Sequence, residues 1–174
     1  MGSPSDGPQI GPAQLLVGKI EMAMAANGLA PVREAIGGPV TIVGATSRFR
    51  WRWMATQLNA FIYAASFLPG TSAAFLDQFL DAAIQNAINR KGALRGFQVG
   101  VAAVTVAVVE SATPEQVAWA SQPHGRRFAA ITFPVLADAS SRRVVYPQRM
   151  VLGGIYLGYL QELVRTYVET QVTN

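Results

Sequence analysis

The stretch Val99–Val109 constrains the fold of this chain more than any other part of the sequence. It is an almost uninterrupted apolar run, rich in valine, that contains no charged residue. Short apolar runs with many β-branched residues are typical of strands that are buried on both faces of a sheet. We therefore predict a strand here, at the centre of a sheet on which helices pack.

Four other segments carry the signals of α-helices. Residues 72–90 place apolar side chains at helical spacing, and Thr113 and Gln116 form a capping box with Pro114 at the first helical position. The predicted helices are a first helix from Pro12 to Asn27, residues 72–90, a short helix after Thr113, and a last helix over residues 148–167; one further helical turn is predicted over residues 31–36.

The predicted strands form an N-terminal antiparallel meander and a C-terminal pair, with the central strand between them. These strands are residues 40–45, 48–55, 60–67, 128–137 and 142–146. Together with the central strand they give a mixed, twisted sheet of about five or six strands. We predict a single domain of the α+β or α/β class over residues 12–174, preceded by a flexible arm over residues 1–11.

The composition points to self-association and to an anionic partner. Charged residues make up only 14% of the sequence and hydrophobic residues 51%, whereas about 25% of a typical soluble domain is charged. A surface this poor in charge favours a homo-oligomer. The 14 basic residues, twelve of them arginine, exceed the 10 acidic ones and give a formal net charge of +4. This sign favours an anionic or acidic partner.

Several classes of chemistry lack the residues that they need. The sequence has no cysteine and one histidine, which excludes disulfides, thiolate catalysis, iron–sulfur ligation and multi-histidine metal sites. Neither a dinucleotide-binding Gly-x-Gly-x-x-Gly nor a phosphate-binding P-loop is present. We therefore expect no cofactor and no metal. No segment has the character of a transmembrane helix or a secretory signal, and a cytoplasmic location is the default expectation.

The most distinctive local feature is an alternation of arginine and aromatic residues over positions 48–53. In a β-strand, Arg48, Arg50 and Arg52 line one face, and the aromatic side chains of Phe49, Trp51 and Trp53 line the other. We predict that the aromatic residues belong to the core and that the arginines form a basic outer face. Asp77 and Asp81, on the following helix, are the nearest candidate counter-charges.

Three interpretations of this arginine face stay open. The arginines can be ordinary solvated charges, they can contact phosphates or anionic lipid, or they can pair with acidic residues of another subunit. Binding of nucleic acid is not favoured, because aromatic residues on the opposite face cannot stack on bases whose phosphates the arginines contact.

A second basic segment follows the short helix. His124 stands in the sequence Pro123-His124-Gly125-Arg126-Arg127, a loop that is suited to hold an anion through Arg126 and Arg127. His124 is also a candidate general acid or base. A serine triad has no support, since the sequence contains no Gly-x-Ser-x-Gly elbow.

Two glycines one turn apart, Gly154 and Gly158, are unusual inside the last predicted helix. Each interior glycine costs roughly 1 kcal/mol relative to alanine. They flatten one helix face, which is explained either by tight packing on the sheet or by a helix–helix contact in a homodimer. We treat both as candidate oligomer contacts.

The order helix, three strands, helix, strand resembles the core of restriction-endonuclease-like folds. Those enzymes need acidic residues on the second and third core strands, and residues 48–55 and 60–67 contain no Asp or Glu. The resemblance is therefore architectural only.

The leading expectation is a non-enzymatic, homo-oligomeric binding or assembly module with an arginine-rich face for an anionic or acidic partner. The alternative is a small enzyme that acts on an anionic metabolite, with His124 as acid or base and arginines as an anion clamp. A third class, nucleic-acid binding, predicts an affinity that falls steeply with salt.

Overall fold

The protein is described by a computed structural model that covers residues 10–53, 56–91, 99–122, 130–151 and 154–173. Its centre is one six-stranded sheet in which strands that follow each other in the chain are also neighbours in space. The strands are β1 (Val32–Ala35), β2 (Val40–Arg50), β3 (Thr56–Ser66), β4 (Val99–Val109), β5 (Ala130–Asp138) and β6 (Arg143–Val145).

The sheet is mixed, as predicted. β1, β2 and β3 are antiparallel, β3, β4 and β5 are parallel, and β6 returns antiparallel to β5. β4 is buried along its described side chains from Val101 to Val109, because strands flank it on both sides and helices cover both faces. The central position predicted for Val99–Val109 is confirmed.

Helices cover both faces of the sheet. They are α1 (Pro12–Ala26), α2 (Ala73–Lys91), α3 (Pro114–Ser121), α4 (Leu157–Val164), which continues through a π-helical segment (Arg165–Glu169), and α5 (Thr170–Thr173). α1 and the C-terminal helices share one hydrophobic core with the side chains of one sheet face, which we call the α1 face. α2 and α3 pack on the opposite face, the α2 face. The predicted single α+β domain is confirmed in its architecture.

Local sequence signals explain the confirmed helices. At α3, the Thr113 hydroxyl accepts a hydrogen bond from the Gln116 amide, and the Gln116 side chain accepts one from the Thr113 amide, which completes the predicted capping box. Pro12 occupies the first turn of α1, where its missing N–H costs nothing.

Predicted elements are wrong in three places. The strands predicted over residues 40–45 and 48–55 are not separate, because residues 40–50 form the single strand β2. Residues 31–36 form β1 instead of a helical turn, because Gly37 and Gly38, both with positive φ, turn the chain so that β1 pairs with β2. The last helix does not begin at residue 148. Gly154–Tyr156 is a single 3₁₀ turn and α4 starts at Leu157.

Among the described residues, no helix combines the length and the apolar character needed to cross a lipid bilayer.

Candidate binding site at an open strand edge

Most of β2 lacks a strand neighbour on one side. β1 pairs only with residues 40–43 of β2, while β3 pairs with residues 42–50. The remaining seven of the 11 residues of β2, residues 44–50, have no strand beside them on the β1 side within the described parts of the chain. We call this side of residues 44–50 the open edge.

The main-chain groups that face the open edge follow from the pairing of β1 and β2. In the hairpin between them, the Ile36 amide donates to the Pro39 carbonyl oxygen at 3.1 Å. The N–H and C=O of a strand residue point to the same side, and this side alternates along the strand. The bond from Ile36 shows that Pro39 points its main-chain carbonyl to the β1 side. The register of β2 with β3 contains no bulge, so every second residue after Pro39 points the same way. Ala45, Ser47 and Phe49 therefore present their N–H and C=O groups at the open edge.

Arg48 and Arg50 lie beside this edge and share one carboxylate. Arg48 Nη1 donates to Glu162 Oε2 on α4 at 2.8 Å, and Arg50 Nη2 lies 3.6 Å from the same oxygen. All three side chains are partly exposed, so each ion pair by itself contributes little, about 0–1 kcal/mol. Two guanidinium groups facing one carboxylate leave a surplus positive charge beside the open edge.

Aromatic rings hold the two arginines in place. The Arg48 guanidinium lies 4.7 Å from the ring centre of Tyr159, and that of Arg50 lies 5.4 Å from the ring centre of Trp53. Such cation–π contacts fix a cation without neutralising it. Burial raises the pKa of Tyr159, although the hydrogen bond with Thr46 and the charge of Arg48 act in the opposite direction. Tyr159 is therefore a neutral support beneath the arginine.

The predicted division into an arginine face and an aromatic core face is wrong. Phe49 is 49% exposed and Trp51 is 81% exposed, and their rings pack edge to face against each other at 5.4 Å. Only Trp53 is buried, and it lies on the same face as the arginines, where its Nε1 donates to the Ile155 carbonyl oxygen.

The reason for this difference is that β2 ends at Arg50. Arg50 pairs with Thr56 of the antiparallel strand β3, so the chain must reverse its direction between these two residues. Trp51–Trp53 forms a 3₁₀ turn instead of continuing the strand. The backbone of Arg52 belongs to this turn, and its side chain lies outside the described part of the structure. Only Arg48 and Arg50 of the predicted triplet share a strand face.

The predicted counter-charges are also wrong. Asp77 and Asp81 lie on α2, which covers the opposite face of the sheet, and Asp77 accepts a hydrogen bond from Trp119 Nε1 at 3.0 Å. The acidic partner of the two arginines is Glu162. It is 114 positions away from Arg48 in the sequence, and no local pattern connects the two residues.

The second predicted basic site cannot be placed, because His124, Arg126 and Arg127 lie outside the described residues. Gly154 and Gly158 are both exposed, and a Cβ added at either position would meet no atom of the described residues within 4 Å. Tight packing of these glycines on the sheet is therefore not what the structure shows. Their role as oligomer contacts stays a prediction.

The cavities differ in character from the open edge. One of them is a groove of about 760 Å³ along α1, lined mainly by apolar side chains that include Leu15, Met22 and Val40. Within the described parts of the chain, no group of three or more histidine, cysteine, aspartate or glutamate residues is arranged to hold a metal ion. The open edge combines surplus charge with main-chain groups that no described strand pairs with.

No protein-family model matches this sequence, and neither curated protein sequences nor solved structures give a significant match.

Proposed function

We propose that this chain is a non-enzymatic binding module that holds an acidic partner through Arg48 and Arg50 at the open edge of β2. One observation carries the proposal: two arginines share a single carboxylate beside a strand edge whose main-chain groups have no strand partner among the described residues. Arginine binds carboxylates in a planar, two-pronged geometry. A second carboxylate would balance the charge that Glu162 leaves unmatched.

The arrangement favours binding over catalysis. The charged groups around Arg48 lie on the surface, and the supporting groups are the rings of Tyr159 and Trp53 and the carboxylate of Glu162. None of these is poised as a nucleophile beside a general base. An arginine surface that is held firmly but is not buried suits reversible association with an acidic chain.

The test compares two variants that remove equal charge. Binding of fluorescently labelled poly-L-glutamate is measured by anisotropy for the wild type, for Arg48→Gln/Arg50→Gln and for Arg143→Gln/Arg149→Gln. Arg143 and Arg149 are exposed and lie in and after β6, at the far edge of the sheet. We expect a loss of about tenfold or more for the first variant. The control should stay within about threefold of the wild type.

A third variant should change affinity in the opposite direction. Glu162→Gln removes the internal carboxylate that competes with the partner, so the binding of polyglutamate should become about two- to fivefold tighter. If the two arginine double variants weaken binding equally, only the net charge matters and the site is not at β2. Circular dichroism of each variant checks that the fold is retained.

The homo-oligomer expected from the composition stays a prediction. The exposed positions of Gly154 and Gly158 support it, since these residues leave room for a second backbone.

A further inference from the structure

We propose that the acidic partner binds as an additional β-strand along the open edge, through an extended segment in which two acidic residues are separated by one apolar residue. This inference depends on the proposed function and specifies the partner and its mode of binding. The partner is a segment of a different polypeptide.

The main chain of β2 is accessible to an added strand along the open edge. Ala45, Ser47 and Phe49 are exposed, and their N–H and C=O groups point to the open edge. A strand placed about 4.8 Å from β2 would pair with these six groups. Addition of an extended peptide to such an edge is a general mode of recognition, in which main-chain hydrogen bonds provide affinity and alternate side chains provide specificity.

The side chains fix the pattern of the added strand. Arg48 and Arg50 lie on the α1 face, where they contact residues of α4 and the Trp53 ring. Directly opposite residues on neighbouring strands have their Cβ atoms about 5 Å apart. The residues opposite these two arginines are two positions apart in the added strand. Carboxylates at both positions would neutralise the surplus charge.

The residue between the two acidic positions faces the other side of the sheet. There it meets Phe49, which is 49% exposed and packs against Trp51, which is 81% exposed. An apolar or aromatic side chain at this position would cover ring surface that is now in water. The pattern of recognition is therefore acidic, apolar, acidic.

A second copy of this chain does not fit this pattern. None of its 10 acidic residues has another acidic residue two positions away. Antiparallel pairing of two open edges centred on Arg48 or Phe49 would also place arginine directly opposite arginine, which is unfavourable. The charges thus favour a different polypeptide over self-pairing.

The experiment uses two peptides of identical composition. One alternates glutamate with valine, and the other places all its glutamates in one block; both are labelled and titrated against the full chain. We expect the alternating peptide to bind at least about tenfold more tightly. Methylation of the peptide nitrogens on alternate residues should abolish this preference, because it removes the donors of the added strand. Arg48→Gln/Arg50→Gln should lose it as well.

Hydrogen exchange followed by NMR gives an independent readout. The amides of Ala45, Ser47 and Phe49 should exchange rapidly in the free protein and slowly with the alternating peptide bound. The neighbouring amides of Thr46 and Arg48 point to β3 and should be protected in both states. Protection of Ala45, Ser47 and Phe49 in the free protein would overturn the inference, because another segment would already cover the edge.

The failure of this inference is distinguishable from the failure of the proposed function. If both peptides bind equally through Arg48 and Arg50 without new protection, the acidic site stands and the added strand is wrong. If neither peptide binds, the proposed function is wrong too. A thymidine homopolymer that binds more tightly than the alternating peptide would assign the site to nucleic acid and overturn the proposal.

Discussion

At both edges of the sheet a short strand pairs with only part of its longer neighbour, but the unpaired part of the neighbour is covered at one edge and exposed at the other. At one edge β1 covers only residues 40–43 of β2, and at the other β6 covers only residues 136–138 of β5. Residues 130–135 of β5 are nevertheless all buried, and the Tyr146 ring packs against one of them, Phe133, with the ring centres 5.9 Å apart. At the open edge of β2, by contrast, Ala45, Ser47 and Phe49 are exposed.

Pro134 strengthens this contrast. The Ala139 amide, directly after β5, donates to the Val109 carbonyl oxygen of β4. The direction of the main-chain groups alternates along a strand, so the even-numbered residues of β5 point these groups away from β4. Pro134 is one of them. Proline has no N–H to offer an incoming strand and is found on edges for this reason. β5 is thus closed to strand addition by burial and by proline. Within the described residues, the open edge of β2 has instead the charge of Arg48 and Arg50 beside it, which by our proposal disfavours further copies and admits an acidic chain.

The largest effect is expected at the buried tryptophan of the turn that follows the open edge. Trp53 is fully buried, its indole donates to Ile155, and its ring packs against Tyr156 and Tyr159. Trp53→Ala should lower the free energy of unfolding by about 3–5 kcal/mol. The matched variant Trp51→Ala removes an exposed ring and should cost less than about 0.5 kcal/mol. Urea denaturation measures both, and equal costs would contradict the inverted burial of the two tryptophans.

A proline pair tests which residues of β2 face the open edge. Thr46→Pro removes a donor of the ladder with β3 and should destabilise the fold by about 3 kcal/mol or more. Ser47→Pro removes an N–H that faces the open edge and should cost about 1 kcal/mol or less. Thermal unfolding distinguishes them. If the order of the two costs is reversed, the assignment of the open edge is wrong.

A smaller effect is expected at Asp138, the last residue of β5, where the chain turns into β6. Burial by itself would raise the pKa of Asp138, but hydrogen bonds from the main chain at Ser141 and Ala112, and from nearby serines, hold this pKa below its ordinary value. A lowered folded-state pKa stabilises the protein above the unfolded-state value, and this contribution is lost as the pH falls below about 4.

Asp138→Asn should therefore cost about 1–3 kcal/mol at neutral pH. It should also flatten the decrease in stability between about pH 5 and pH 2. Denaturation of the wild type and the variant across this range provides the measurement. Parallel curves for the two proteins would show that the carboxylate does not act through its charge.

The smallest effect on stability is expected at Gly158. A variant at this position tests whether two copies of the chain associate through α4 and not through an edge of the sheet. No atom of the described residues lies within 4 Å of a Cβ added at Gly158 or at Gly18 of α1. Gly158→Leu should leave monomer stability within about 0.5 kcal/mol of the wild type and weaken self-association. Gly18→Leu serves as the control. Light scattering after size exclusion gives the mass, and disassembly by Gly18→Leu alone would place the interface along α1.

Much of the fold was predictable because its signals are local. The apolar run of β4 admits few positions other than a buried strand, and the Thr113 box marks the start of α3 by itself. The alternation at residues 48–53 failed for the opposite reason. Residues 51–55 hold no glycine, proline or asparagine to mark a turn, and the reversal is imposed by the pairing of Arg50 with Thr56.

The candidate site was predictable in part. Arg48 and Arg50 stood out from their sequence pattern, but their support did not, since Tyr159 and Glu162 approach them from the far end of the chain. The open edge depends on β1 being only four residues long against the 11 of β2. Strand length is decided by how far two segments can pair, which single-sequence patterns do not encode.

The core that α1 shares with α4 and α5 has a consequence for how the protein is made. The strands pair in chain order, so the sheet can grow as successive segments leave the ribosome. The core on the α1 face, however, joins residues from Ala13 to Val172. This layer closes only once α4 and α5 have left the ribosome, because they supply one side of it. Until then the apolar side of α1 stays uncovered. A chain that stops before α4 should therefore depend on chaperones or aggregate.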